Sequence, residues 1–123
     1  AAHGAGGWLY RFDLPVNLKG SEHVGAPHAA EMAFTFNTVC EPTSHAYTFH
    51  DTRDSVVQRV GGHWSGLVTA MARWGDPNGY AQADSLPEWP QYHAAQRPCL
   101  CIDAQFSVAQ DPDELHRGLW EAR

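Results

Sequence analysis

Large side chains alternate with other residues near the start of the chain, as is typical of a β-strand. The pattern covers Trp8–Asp13 and ends before Pro15. We expect an irregular loop over Val16–Pro27, because this segment contains two glycines and ends in a proline. The residues that follow, His28–Phe34, favour a helix and come directly after a proline, so they predict a short helix.

A long helix is predicted to begin near Asp54. Ser55 and Gln58 have the spacing of a capping box, and the Gly75–Gly79 turn is expected to end the helix. Between them, apolar residues recur at steps of three and four, as on one face of an amphipathic helix: Val57, Val60, Trp64, Leu67, Val68, Met71 and Trp74. Small residues inside this helix predict close approach of other elements: Gly61, Gly62 and Gly66.

The last third of the chain predicts two strands and a helix. Cys99–Ile102 and Phe106–Ala109 are the strand candidates, and Asp111–Glu114 opens a helix that runs through Trp120. The order of elements is therefore strand, loop, helices, strands, helix, which predicts an α/β fold. The strands are too few for a self-sufficient sheet, so we expect an incomplete one.

Length and charge exclude several classes of protein. A chain of 123 residues allows one domain. No apolar run approaches the ~18 residues of a membrane helix, so no membrane span is predicted. The net charge of −6, with a single lysine, argues against nucleic-acid binding through phosphates.

The three cysteines are best interpreted as free thiols. A bridge between Cys40 and either Cys99 or Cys101 stays open. The cysteines therefore do not assign a cellular compartment.

One histidine is a candidate for proton transfer. His28 lies in a loop just before a predicted helix, where its ring can project into a cleft and exchange a proton near neutral pH. Glu31 follows three residues later, on the same side of a helical turn. Taken alone, this common spacing fits a surface or structural role better than a catalytic one.

Metal and nucleophile candidates are weaker. Atoms that could bind a metal are offered by Cys40, His45, His50 and Asp51, but the spacing of these residues matches no zinc pattern. No metal or cofactor is therefore predicted.

The sequence has no G-x-S-x-G motif. Gly62–Gly66 contains the same residue types in the wrong order, and its Ser65 falls inside the predicted long helix.

Several motifs together carry a resemblance to a known family. The segment Gly25–Glu31, with Tyr10–Asp13 before it, resembles the type-B carboxylesterases, the cholinesterase-like branch of the α/β-hydrolases. The resemblance spans Trp8 to Trp120 and continues, in the family's order, through Met32–Phe36, Trp64, Met71–Asn78, Trp89–Tyr92 and Asp111-Pro112. It implies that residues 1–123 are the C-terminal segment of a carboxylesterase-type α/β-hydrolase domain, with residues 1–7 as a flexible lead-in.

The resemblance also implies roles for individual residues. His28 falls on the position of the triad histidine of a serine esterase, and Glu31 on a glutamate that supports it from outside the triad. The nucleophilic serine and the triad acid are absent, so we expect the isolated chain to be inactive. The expected partners are the remainder of the hydrolase domain, as a missing N-terminal segment or a second chain, and a small ester substrate.

Other interpretations of the sequence stay open. Members of this fold can lose triad residues and serve in adhesion or binding, because a fold does not fix a function. A small stand-alone metal- or ligand-binding module is a third possibility. The chain carries five Trp, five Phe and four Tyr, so a lone copy is expected to expose apolar surface and to self-associate or need a partner.

Overall fold

The structure is a computed structural model, and it describes residues 6–21, 23–41, 49–81 and 85–122. The strands are β1 (Leu9–Phe12), β2 (Pro98–Ile102) and β3 (Phe106–Gln110). The helices are α1 (Met32–Thr35), α2 (Ser55–Trp74) and α3 (Glu114–Glu121), with a short 3-10 turn at Pro77–Gly79. The three predicted strands and the two longer helices are therefore confirmed.

The strands form one open sheet in the order β1-β2-β3. β1 pairs with β2 in parallel, with Leu9 opposite Cys99, and β3 runs antiparallel to β2. The N–H of Asp13 donates to the carbonyl of Ile102 at 2.8 Å. Since alternate residues of a parallel strand bond the same neighbour, the backbone groups of Tyr10 and Phe12 face away from β2. Among the described residues no strand lies on that side, so β1 forms a free edge.

Helix α2 is capped at both ends by local chemistry. The side chain of Asp54 accepts a hydrogen bond from the N–H of Val56 at 2.7 Å. Gly75 has a φ of 72° and donates its N–H to the carbonyl of Met71, which ends the helix where the sequence predicts. The predicted capping box was wrong, because Asp54 is the cap and Gln58 donates its side-chain amide to the carbonyl of Thr52.

The core lies between α2, α1 and one face of the sheet. Trp64 is its centre: the Tyr10 ring lies 4.6 Å from it and the Trp89 ring 5.8 Å, centroid to centroid. Burying one large side chain of this kind stabilises a fold by roughly 2–3 kcal/mol. The buried cluster comprises Leu14, Ala33, Phe34, Val39, Val57, Val60, Trp64, Leu67, Trp89, Leu100 and Ile102. Trp74, assigned to the same face from the sequence, is instead 58% exposed.

Two of the three helix glycines lie against another element. A Cβ on Gly66 would stand 2.2 Å from the ring of Tyr80, and one on Gly61 would stand 3.2 Å from a methyl group of Val39. Gly62 faces open space, so the expectation of close approach was wrong there.

The terminal helix α3 is held by ion pairs rather than by apolar packing. Arg11 pairs with Asp113, which precedes the helix, and Arg97 pairs with Glu121 at its end. Leu115 and Leu119 are 77% and 65% exposed, and no residue of the helix is buried. A search of the described helices finds none with the length and apolar character needed to cross a membrane.

Candidate functional site

His28 lies in an exposed turn between β1 and α1. The N–H of Ala30 donates to the carbonyl of Pro27 at 3.1 Å and closes the turn. Ala29 has a φ of 65°, a left-handed conformation that costs a non-glycine residue roughly 1–2 kcal/mol. The helix predicted over His28–Phe34 is therefore confirmed only in its second half, because Ala29 keeps the preceding residues out of a helix. Backbone strain of this kind is concentrated at functional sites.

Both ends of this turn are fixed to the rest of the chain. Before it, the carbonyl of Gly25 accepts a hydrogen bond from the N–H of Val16 at 2.9 Å. After it, Ala30, Ala33 and Phe34 are buried. The exposed imidazole of His28 is thus carried on a short segment anchored on both sides.

The negative charge of Glu31 acts on Tyr10 of strand β1. In the described part of the chain, no hydrogen bond joins its carboxylate to the His28 ring. Burial, and then the negative charge of Glu31, raise the pKa of the Tyr10 phenol. Tyr10 belongs to β1, and the segment that follows His28 packs beside that strand, with the ring centroids of Phe34 and Phe12 5.1 Å apart. That Glu31 supports His28 stays a prediction.

A short series of contacts connects this segment to the core. The indole N–H of Trp64 donates to the hydroxyl of Thr35 at 2.8 Å, and that hydroxyl donates to the carbonyl of Glu31 at 3.1 Å. The Tyr10 ring packs on Trp64 from the other side. Sequence analysis missed the Trp64–Thr35 bond, because apolar spacing identifies Trp64 as a core residue and gives no sign of where its N–H points.

The described residues contain no activated serine at the rejected candidate position. Ser65 lies within α2, and its hydroxyl donates to the carbonyl of Gly62 at 3.3 Å. A hydroxyl on a helix, bonded to its own backbone, is not poised on a strand-to-helix turn as a hydrolase nucleophile is.

The residues weighed as metal ligands are dispersed. Cys40 is exposed, whereas His50 is 1% exposed and packs edge-on against Phe34, with ring centroids 5.1 Å apart. His45 lies outside the described residues. No group of three or more His, Cys, Asp and Glu that could hold a metal ion occurs in the parts of the chain the structure describes.

The cysteines are free thiols in the structure. Cys99 and Cys101 are buried and Cys40 is exposed. Burial raises the pKa of the Cys99 thiol to about 11, so this group stays protonated at neutral pH and is a poor nucleophile.

The sequence is similar to that of a known esterase. No family model matches the sequence. The para-nitrobenzyl esterase of Bacillus subtilis (strain 168) is 29% identical to it over 116 residues, which are 94% of this chain and 22% of that enzyme. The chain is homologous to para-nitrobenzyl esterase. The chain spans about a fifth of the length of this relative.

Solved structures agree with this homology. A carboxylesterase of Geobacillus stearothermophilus superposes with a TM-score of 0.72 at 26% identity, over 92% of this chain and 21% of that chain. An esterase from the anaerobe Clostridium hathewayi, described as able to hydrolyse aliphatic aromatic polyesters, gives a TM-score of 0.75 at 18% identity, over 99% of this chain and 22% of that chain. The structural neighbours are esterases of the α/β-hydrolase fold, and the small open sheet is consistent with a fragment of that fold.

Proposed function

We propose that this chain is the histidine-bearing, C-terminal portion of a serine carboxylesterase. Its part in catalysis is to supply His28 as the general base and acid of the triad. The remainder of the hydrolase domain, on the same or a second polypeptide, supplies the serine, the triad acid and the oxyanion hole. The homology to para-nitrobenzyl esterase supports the reaction class, and the position of His28 supports the role.

The observation that carries this proposal is where the His28 turn lies. The turn is exposed and anchored at both ends, and the helix α1 that follows it packs beside β1, with Phe34 against Phe12. A segment that docks on β1 therefore lies close to the part of the chain that carries His28. An orphan edge of this kind is normally covered in a folded protein.

The chemistry requires His28 to move one proton in two directions. The serine oxygen bonds to the ester carbonyl carbon while its proton passes to the His28 ring. The bond to the leaving alcohol then breaks, and His28 returns the proton to that oxygen. Water attacks the acyl-enzyme in the second half of the reaction, with His28 again taking and returning a proton, which releases the carboxylic acid and the free serine.

An exposed imidazole without the serine and the triad acid catalyses ester hydrolysis only weakly. Removing members of a triad lowers turnover by about 10⁴- to 10⁶-fold, because the groups act as a unit. The isolated chain is therefore expected to lack serine-dependent esterase activity. The thiol of Cys99 does not substitute for the serine, because it is buried and protonated.

The test is to express this chain within the longest open reading frame that contains it and to follow hydrolysis of para-nitrobenzyl acetate. The alcohol released from this ester is a poor leaving group, so solvent-exposed imidazoles contribute little background. We expect turnover in the longer protein and a loss of at least about 10³-fold in His28→Ala. His23→Ala is the matched control, because His23 is an exposed histidine of the same loop.

Three results would contradict the proposal. One is full activity of His28→Ala in the longer protein. Another is an extended reading frame that encodes no nucleophilic serine. The third is turnover by the 123-residue chain alone that a serine-directed fluorophosphonate abolishes.

A further inference from the structure

A cleft that contains the guanidinium of Arg59 lies apart from the His28 turn. It opens between α2 and the turn that joins β2 to β3, and its volume is about 500 Å³. None of its lining residues belongs to the His28 turn or to α1. We call it the Arg59 cleft; the described residues that line it include Arg59, His63, Leu86, Pro87, Gln105 and Phe106.

The polar groups of the Arg59 cleft are held in place but not saturated. Arg59 donates one N–H to the carbonyl of Ala104 at 3.0 Å, which fixes the guanidinium across the cleft. No carboxylate of the described residues lies within 4 Å of it. Asp103, on the adjoining turn, instead accepts a hydrogen bond from the N–H of Ala104 at 2.6 Å.

His63 also lines the Arg59 cleft. Its Nδ1 is enclosed and has no hydrogen-bond partner among the described residues. The ring is fixed edge-on between Tyr80 and Phe106, each with its centroid 6.1 Å away. Burial and the neighbouring Arg59 charge both lower the pKa of His63, so the ring is neutral at pH 7.

The walls of the Arg59 cleft are partly apolar. Leu86, Pro87 and Phe106 line it beside the polar residues Arg59, His63, Ser85 and Gln105. Small-molecule sites typically have volumes of about 300–1,000 Å³, with apolar walls and a few polar groups that fix orientation. A guanidinium matches a carboxylate because its N–H groups donate in a planar fork.

We propose that the Arg59 cleft binds a small carboxylate that carries an apolar ring. The carboxylate accepts hydrogen bonds from the Arg59 guanidinium, and the ring packs on Phe106 and Leu86. This inference does not rest on the proposed esterase function, and it can fail or succeed independently of it.

Benzoate is the probe for this site, and the 123-residue chain is the protein. Titration followed by NMR is expected to give saturable shifts of the His63 imidazole, with a dissociation constant in the millimolar range. Benzyl alcohol has a similar ring without the charge and is expected to bind at least tenfold more weakly. Arg59→Gln is expected to remove this preference for the anion.

Arg73→Gln is the matched control for charge. Arg73 lies on the same helix, is exposed, and stacks on Trp74 outside the Arg59 cleft. It should leave benzoate affinity unchanged. The proposal is overturned by the absence of saturable binding, by equal affinity for benzoate and benzyl alcohol, or by unchanged benzoate binding in a folded Arg59→Gln protein.

Discussion

Mild acid is expected to destabilise this chain through one buried histidine. His50 is 1% exposed and lies edge-on against Phe34, and among the described residues neither ring nitrogen makes a hydrogen bond of good geometry. Burial lowers its pKa, while the nearby carbonyls of Leu14 and Pro15 and the charge of Asp54 oppose that shift without cancelling it. The folded chain therefore holds His50 neutral at a pH where the unfolded chain has already protonated it.

The sign and size of the effect follow from proton linkage. A lowered pKa in the folded state means that the unfolded state binds more protons as pH falls through about 6.5, so the free energy of unfolding decreases with falling pH. The limiting slope is ~1.4 kcal/mol per pH unit for one group. If His50 stays neutral throughout, the loss between pH 7.5 and 5.0 reaches about 2 kcal/mol, a large share of the stability of a small domain.

The assay is urea unfolding of the wild type and His50→Leu at pH 7.5 and 5.0. Leucine fills a similar volume without polar atoms, so at pH 7.5 the variant is expected within about 1.5 kcal/mol of the wild type. Between pH 7.5 and 5.0 the free energy of unfolding of the wild type should fall by up to ~2 kcal/mol more than that of His50→Leu. His93→Gln, which removes an exposed imidazole, should show the same pH dependence as the wild type.

The reasoning is refuted if wild type and His50→Leu lose the same free energy of unfolding between the two pH values. It is also refuted if NMR titration of the folded chain places protonation of His50 at or above the pH of an unstructured histidine. Either result would mean that the ring is solvated or hydrogen-bonded in the folded state.

Further predictions concern backbone and surface. Gly66→Ala should cost roughly 1–3 kcal/mol by forcing the Tyr80 ring aside, whereas Gly62→Ala should stabilise by up to ~1 kcal/mol, as urea unfolding will measure. Ala29→Gly should raise the melting temperature, because glycine adopts the positive φ of this position without strain. The expected net gain in the free energy of unfolding is about 0.5–1 kcal/mol. Leu115→Lys should change stability by less than ~0.5 kcal/mol yet reduce concentration-dependent self-association in sedimentation experiments.

The spacing of apolar residues predicted a helix well where those residues are also the buried ones. Apolar spacing located α2 to within a residue, because Val57, Val60, Trp64 and Leu67 all face the core. The same reasoning overextended α1, since helix propensity does not reveal that Ala29 takes a positive φ. A non-glycine residue in that conformation is imposed by the anchored ends of its loop, which is tertiary information.

Some features of the candidate site were predictable from local sequence, and others depend on tertiary contacts. The exposed loop position of His28 before a helix was predictable from local sequence, and the homology to an esterase was predictable from the order of several weak motifs. The effect of the Glu31 charge on Tyr10 was not predictable, because it links a turn to a strand and no sequence pattern connects the two. The Arg59 cleft was also missed, since its walls come from a helix, a loop and a hairpin turn.

The exposed apolar residues near β1 bear on where a partner would dock. Tyr10 is 39% exposed although its ring packs on Trp64, and Phe36, one residue after α1, is 70% exposed. Among the described residues no strand faces the backbone groups of Tyr10 and Phe12. A strand paired there would satisfy those backbone groups and cover apolar surface in one step.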